Sequence, residues 1–165
     1  MAAGLPVPIE FRLPEGWRTA DPDDIGAPGV AFVALHPHPD DGFAANITID
    51  GDFMPATRTL LELAEESEQR LRGASETLAV LTRRETGSPR APGLSQRLEF
   101  TAVAGGARRK LAQTQVYLGV VDATDPAKRA HIRLTLTSTA AQHDVVLDDF
   151  QQFVSTVAPD TAPKS

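Results

Sequence analysis

The run His36-Pro-His38-Pro-Asp40-Asp41 is where metal-ligand residue types crowd together. Imidazole nitrogens and carboxylate oxygens are donors that a divalent cation takes, so the run offers part of a metal site. That chemistry needs a further protein ligand, and the later histidines are badly placed: His131 lies inside a predicted strand and His143 opens the last helix. The same residues also read as a Pro-rich hairpin loop, since Pro, Asp and Gly are the residues turns are made of. The loop reading is the expectation, with no metal or other cofactor; a metal-dependent hydrolase built on His36, His38, Asp40 and Asp41 is the alternative.

Other chemistries find less support. The run is similar to the metal-binding signature of zinc-dependent N-deacetylases, and that resemblance implies a His and an Asp as ligands with the second Asp as general base. Those enzymes need a parallel sheet with alternating helices, and here another strand follows the motif. With no cysteine, thiol nucleophiles, thiolate metal sites and redox switches are excluded. Gly105-Gly106 sits between two strands, so it reads as a hairpin turn rather than a phosphate cradle. No serine has nucleophile-elbow spacing. Glu65-Glu66 and Asp148-Asp149 are adjacent on helices, so each pair diverges and cannot flank one substrate. The chain is expected not to be an enzyme.

A binding surface is the better expectation. Gln113 and Gln115 share strand parity with Leu111 and Tyr117, whereas Ala112, Thr114, Val116 and Leu118 face the other way. An open face bearing Gln113, Gln115 and Tyr117 offers amides and an aromatic ring to a partner protein. A scattered basic set, Arg83-Arg84, Arg90, Arg97, Arg108-Arg109-Lys110, Lys128-Arg129 and Arg133, is accompanied by one Tyr and one Trp. It lacks the stacking platforms that single-stranded nucleic acid needs.

Position follows from pattern. Alternation predicts strands at Ile9 to Leu13 and Ala45 to Ile49, the latter closed by a turn at Asp50-Gly51, and the apolar run Val30 to Leu35 predicts a strand covered on both faces. Leu60, Leu63, Ala64, Ser67 and Leu71 recur at a helical period from Thr59 to Arg72, with Thr57 or Thr59 as cap and Gly73 as stop. Four strands follow, at 77–85, 94–103, 108–121 and 128–137, joined by short loops that favour antiparallel neighbours. Val146, Phe150, Phe153, Val154 and Val157 then mark an amphipathic helix starting near Thr139. The expected fold is α+β: a twisted antiparallel sheet of six to seven strands between two main helices, in the order three strands, helix, four strands, helix. Residues 1–158 form one domain and 159–165 a flexible C-terminal tail.

Composition bounds the rest. The 165 residues are 41% apolar and 23% charged, enough for a core that needs neither disulfides nor a structural metal. A net charge of −6 argues against a general nucleic-acid binder. Charge is uneven: residues 1–76 carry 14 acidic and 5 basic side chains, and residues 77–165 carry 8 acidic and 11 basic. No apolar run approaches the roughly 20 residues of a membrane-spanning helix. The N-terminal residues lack a basic n-region, and Pro6 and Pro8 break any apolar stretch, so a cytoplasmic location is expected. The bias of 13 Arg over 3 Lys fits a GC-rich bacterial genome.

Phe11-x-Leu13-Pro14-x-Gly16-Trp17, Phe43-Ala-Ala-Asn46-Ile-x-Ile49, the Leu-rich helix, Gln113-x-Gln115-Val116, Ile132-x-Leu134-Thr-Leu136-Thr and the closing Phe150-x-x-Phe153 helix occur in a telling order. This order resembles the PsbP-like superfamily, in particular its bacterial branch with LpqN-type lipoproteins and Eag-type secretion chaperones. The resemblance implies an antiparallel sheet between helices and a chaperone, adaptor or accessory role without catalysis. Asn46 and Trp17 match positions that look structural in that family. Having no cysteine, the chain departs from the lipoproteins, which favours a cytoplasmic adaptor or chaperone, including one for a secreted client. A binder of small apolar ligands, in a cavity between sheet and helix, is the other alternative function, and a homodimer is compatible with either.

Overall fold

A computed structural model describes residues 5–25, 29–89, 91–104, 106–122, 125 and 127–159. Seven strands form one antiparallel sheet: β2 (Arg18–Ala20), β3 (Phe32–Leu35), β4 (Asn46–Met54), β5 (Thr77–Ser88), β6 (Ala91–Ala104), β7 (Ala107–Val121) and β8 (Arg129–Thr139). Their spatial order is β2-β3-β4-β8-β7-β6-β5. The sheet is thus two consecutive meanders joined where β8 returns beside β4, and α1 (Leu60–Gly73) bridges them in sequence. After β8 comes α2 (His143–Thr156). This is the α+β antiparallel architecture that the sequence pattern predicts.

The two helices lie on opposite faces of the sheet. Helix α1 packs on β5, β6 and β7, with Leu60 and Ala64 against Met54, Leu94 and Tyr117. Its start is fixed locally: the Thr59 hydroxyl accepts the Glu62 N–H at 3.1 Å, and the Glu62 carboxylate accepts the Thr59 N–H at 3.0 Å. Helix α2 packs on β8 and buries Val146, Phe150 and Phe153 against Ile47, Ile49, Ile132, Leu134 and Leu136. Trp17 closes that core, and its indole N–H donates to Asp149 at 2.9 Å. Val33 and Ala34 are both fully buried, as a strand covered on both faces requires.

Several expected boundaries move. The strand predicted over Ile9 to Leu13 is only Ile9–Glu10 (β1), which pairs with Ala158–Pro159 (β9) in a separate two-stranded ribbon. Phe11 and Leu13 still pack against the α2-side core, so their alternation reports burial without ladder pairing. Asp50-Gly51 is not a turn; β4 runs through it to Met54 because Asp50 is paired with Arg133 and Gly51 lies opposite Ile132. A Cβ at Gly51 would stand 2.4 Å from the His131 carbonyl oxygen, so only glycine permits this approach. The loop expected over 87–93 is shorter, with β5 reaching Ser88, β6 starting at Ala91 and Gly87 at φ +82 allowing the reversal. Helix α2 begins at His143 rather than near Thr139, since β8 extends to Thr139. Of the expected tail, residues from 160 on lie outside the described residues, as do Gly105 of the expected glycine turn and Arg90 of the basic set.

Candidate functional site

Parity decides what each face of the central strands can do. On β8, Ile132, Leu134 and Leu136 enter the α2-side core, so His131, Arg133, Thr135 and Thr137 face the α1 side. Cross-strand register sets Thr48 and Asp50 beside Thr135 and Arg133 on one flank, and Gln113, Gln115 and Tyr117 beside Thr137, Thr135 and Arg133 on the other. Helix α1 covers β5 to β7, and the floor beyond it is polar. The result is a groove lined by Thr48, Ser67, Arg70, Gln113, Thr135 and Thr137, of about 300 Å³. An adjoining hollow shares Arg70 and Arg133 and adds Asp50, Tyr117 and His131.

The sequence-predicted trio lies along this groove but not as an open surface. Gln115 and Tyr117 are 2% and 1% exposed, because α1 sits over them. Gln113 is half-buried and faces the groove. The expected open amide face is therefore corrected: two of its three members act from beneath, and the accessible floor is displaced toward β8 and β4. Parity assigns residues to a face, but it carries no information about which helix covers that face.

Beneath α1 the amides form a closed network. Gln96 Nε2 donates to the Ala64 carbonyl at 3.1 Å and to Gln115 Oε1 at 2.7 Å. Gln115 Nε2 donates to Ser67 Oγ at 3.0 Å and to Gln113 Oε1 at 2.6 Å, and the Tyr117 hydroxyl donates to Gln115 Oε1 at 2.9 Å. Outward, Arg83 donates through Nε to Gln96 Oε1 and through Nη2 to Glu68 Oε1, both at 2.8 Å. Hydrogen bonds from Arg72 and Arg83 hold the Glu68 carboxyl below its ordinary 4.5. Gln96 and Gln115 are thereby satisfied, and Gln113, which lines the groove, is held through its oxygen while its NH₂ makes no hydrogen bond to another described residue. Gln96 and Glu68 are absent from the sequence reading of the site, and Ser67 and Arg83 enter the sequence reading only as a helix-stripe residue and as one of a scattered basic set. The available signal was Gln96 itself, a polar residue at the parity of Leu94, Leu98 and Phe100.

Charge along the groove is graded. Arg133 grips Asp50 with both guanidinium arms, Nε to Oδ1 at 2.9 Å and Nη2 to Oδ2 at 2.5 Å. Burial pushes the His131 imidazole below 6.5, with Asp50 pulling the other way. Arg70, exposed on α1 at the rim, has no ion pair among the described residues. The rest of the basic set mostly meets acids: Arg83 with Glu68, Arg97 with Asp144, Arg108 with Glu76, Arg109 with Asp41 and Lys110 with Glu99. Glu68, Glu76, Asp41 and Asp50 come from the acidic first half, so the uneven charge is neutralised across the sheet.

The His-Pro-Asp-Asp loop is built otherwise than a metal centre. Asp40 accepts the Thr139 hydroxyl at 2.5 Å, and Arg109 binds both the carboxylate and the main-chain oxygen of Asp41. The His38 N–H donates to His36 Nδ1 at 3.1 Å, and the His36 ring stands edge-on to Trp17. Asp41 at φ +52 and Gly42 at φ +78 turn the chain. Both aspartates are thus engaged by side chains of β7 and β8, and no group of three or more potential ligands gathers among the described residues. No helix among the described residues is long and apolar enough to cross a membrane.

No protein-family model and no curated protein matches the chain. Solved structures do. LpqN of Mycobacterium tuberculosis, described as involved in cell envelope biogenesis, superposes with a TM-score of 0.61 at 12% identity, over 96% of this chain and 89% of that one. Cyanobacterial PsbP from Synechocystis sp. PCC 6803 gives 0.57 at 16% identity, over 92% and 86%. The Saccharomyces cerevisiae Ran-binding protein Mog1p gives 0.53 at 12%, over 92% and 89%. The likeness runs through nearly the whole of each chain while the sequences diverge: the chain has the PsbP-like fold that the order of its motifs leads one to expect.

Proposed function

We propose that this chain is a non-catalytic protein-binding domain, an adaptor or chaperone, that holds a segment of its client in the groove beside α1. The observation that carries the reading is the unused hydrogen-bonding capacity of the floor. The hydroxyls of Thr48, Thr135 and Thr137 make no side-chain hydrogen bond to another described residue, and they line one continuous groove with Gln113. A solvated groove of this kind exchanges water for the polar groups of a protein segment at little cost. The fixed Gln113 orientation lowers the entropy lost on binding. Mog1p, of the same fold, is a Ran-binding protein, which supports a protein-binding role for a domain of this fold. Clients destined for secretion fall within the proposal.

Thr48→Arg, two strands away from the glutamines, and Thr137→Arg, beside Gln113, each fill the groove from its half-buried floor, and neither replaces a member of the amide network. Affinity capture from the native cell, with each variant beside the wild type and melting temperatures matched, provides the test. A specific protein captured by the wild type and lost with both variants is the expected result. A full set of specific partners retained by both variants refutes the groove as the client site.

A further inference from the structure

A second hollow lies at the other end of the central strands, away from the groove. Phe53 on β4, Ala130 on β8 and Val120 on β7 stand in register across three strands and share one face. Pro6 and Val7 of the N-terminal segment form a wall, and Met54 completes a mainly apolar lining. The cavity holds about 590 Å³, within the range of small-molecule sites. Phe53 stays 71% exposed at its mouth. An aromatic ring left in water beside an apolar hollow marks surface that a ligand would cover.

The rim is cationic. Lys128 is exposed and has no ion pair among the described residues, while Arg129 donates one guanidinium arm to the Ala56 carbonyl at 3.0 Å and lines the cavity beside it. Asp122, the acid of the rim, already has a partner. Two cations against one acid leave a net positive charge at the mouth of an apolar slot, which complements a molecule with a hydrocarbon chain and an anionic head. We propose that this hollow binds a single-chain alkyl carboxylate, its chain against Val7, Phe53, Val120 and Ala130 and its carboxylate at Lys128.

Calorimetric titration of the full chain with sodium dodecanoate, below the concentration at which it forms micelles, tests this, with dodecyltrimethylammonium as the cationic counterpart. Saturable one-to-one binding of dodecanoate is expected. Lys128→Glu should weaken it roughly five- to tenfold, as reversal of an exposed charge does. Phe53→Ser should weaken it about tenfold through lost apolar contact. Both positions are exposed, so unchanged melting temperatures will certify the folded state. Absence of saturable binding overturns the proposal, as does equal affinity for dodecyltrimethylammonium or indifference to Lys128→Glu. Concentration-dependent self-association abolished by Phe53→Ser would overturn it too, by showing that a second copy occupies the hollow.

Discussion

His143 offers a prediction that can be worked through from atoms to a titration curve. It is the first residue of α2 and fully buried, with Nδ1 2.7 Å from Ser138 Oγ and Nε2 2.7 Å from Thr114 Oγ1. The Ser138 hydroxyl already donates to the Thr139 carbonyl at 2.9 Å. It must therefore accept from Nδ1–H, which leaves Nε2 to accept from Thr114: the site is built for neutral imidazole. Burial, reinforced by nearby Arg97 and opposed by Asp144, pushes the pKa down to about 4 from 6.5. Because the folded value is depressed for a group that gains charge on protonation, the unfolded chain takes up a proton first as the pH falls. The resulting stability is present above pH 6.5 and is lost progressively between 6.5 and 4. From these values the full loss is about 3 kcal/mol, of which about 2 kcal/mol falls between pH 7 and pH 5.

Urea unfolding at several pH values across that interval measures it, with His143→Gln as the non-titrating control. The variant keeps an amide donor and acceptor, so it should be less stable at pH 7 yet lose much less stability on acidification. His131, also held low by burial, contributes with the same sign, and His131→Gln separates its share. Glu68 is held below 4.5, so its own loss sets in only near pH 4.5, at the acid end of the interval, and leaves the change between pH 7 and pH 5 to the histidines. A His143→Gln curve parallel to the wild type refutes the reasoning, as would ring protons of His143 that titrate above about pH 5.5 in the folded protein.

Three further outcomes are expected. Gln96→Ala strands the Ala64 carbonyl, Gln115 and Arg83, and should cost about 2–4 kcal/mol in urea unfolding; a cost under about 1 kcal/mol would mean that water replaces the amide. Thr59→Ala removes the side-chain half of the α1 capping box and should cost about 1 kcal/mol, read as a lower midpoint at unchanged slope. Gly51→Val drives a Cβ toward the His131 carbonyl and should lower stability by about 3 kcal/mol, whereas a neutral effect would show that β4 and β8 can separate there.

What the sequence made legible was what neighbouring residues determine. The α1 cap at Thr59, the long central β7 and the buried stripe of α2 each follow from a local period or a local hydrogen bond. Asp50-Gly51 was misread because the same two residue types serve a turn and a paired strand, and the difference lay in Arg133 and Ile132, about 80 positions away. Gln113, Gln115 and Tyr117 were placed on the correct strand face, but their cover comes from α1, which no strand pattern encodes. The Asp40 and Asp41 partners, Thr139 and Arg109, are equally remote, so the sequence shows the turn residues of the loop but not the contacts that hold it.

The β1–β9 ribbon bears on how the protein responds to force. Ile9 faces Pro159 and Glu10 faces Ala158, so the chain enters and leaves the ribbon at the same end. Tension applied through anything attached to both ends therefore peels this pair open one hydrogen bond at a time, the weakest geometry a β-ladder can present. The seven-stranded sheet and the groove would stay intact while the ribbon gives way. A fusion or surface tether pulling on both ends would thus find a soft clasp first and the binding domain only afterward.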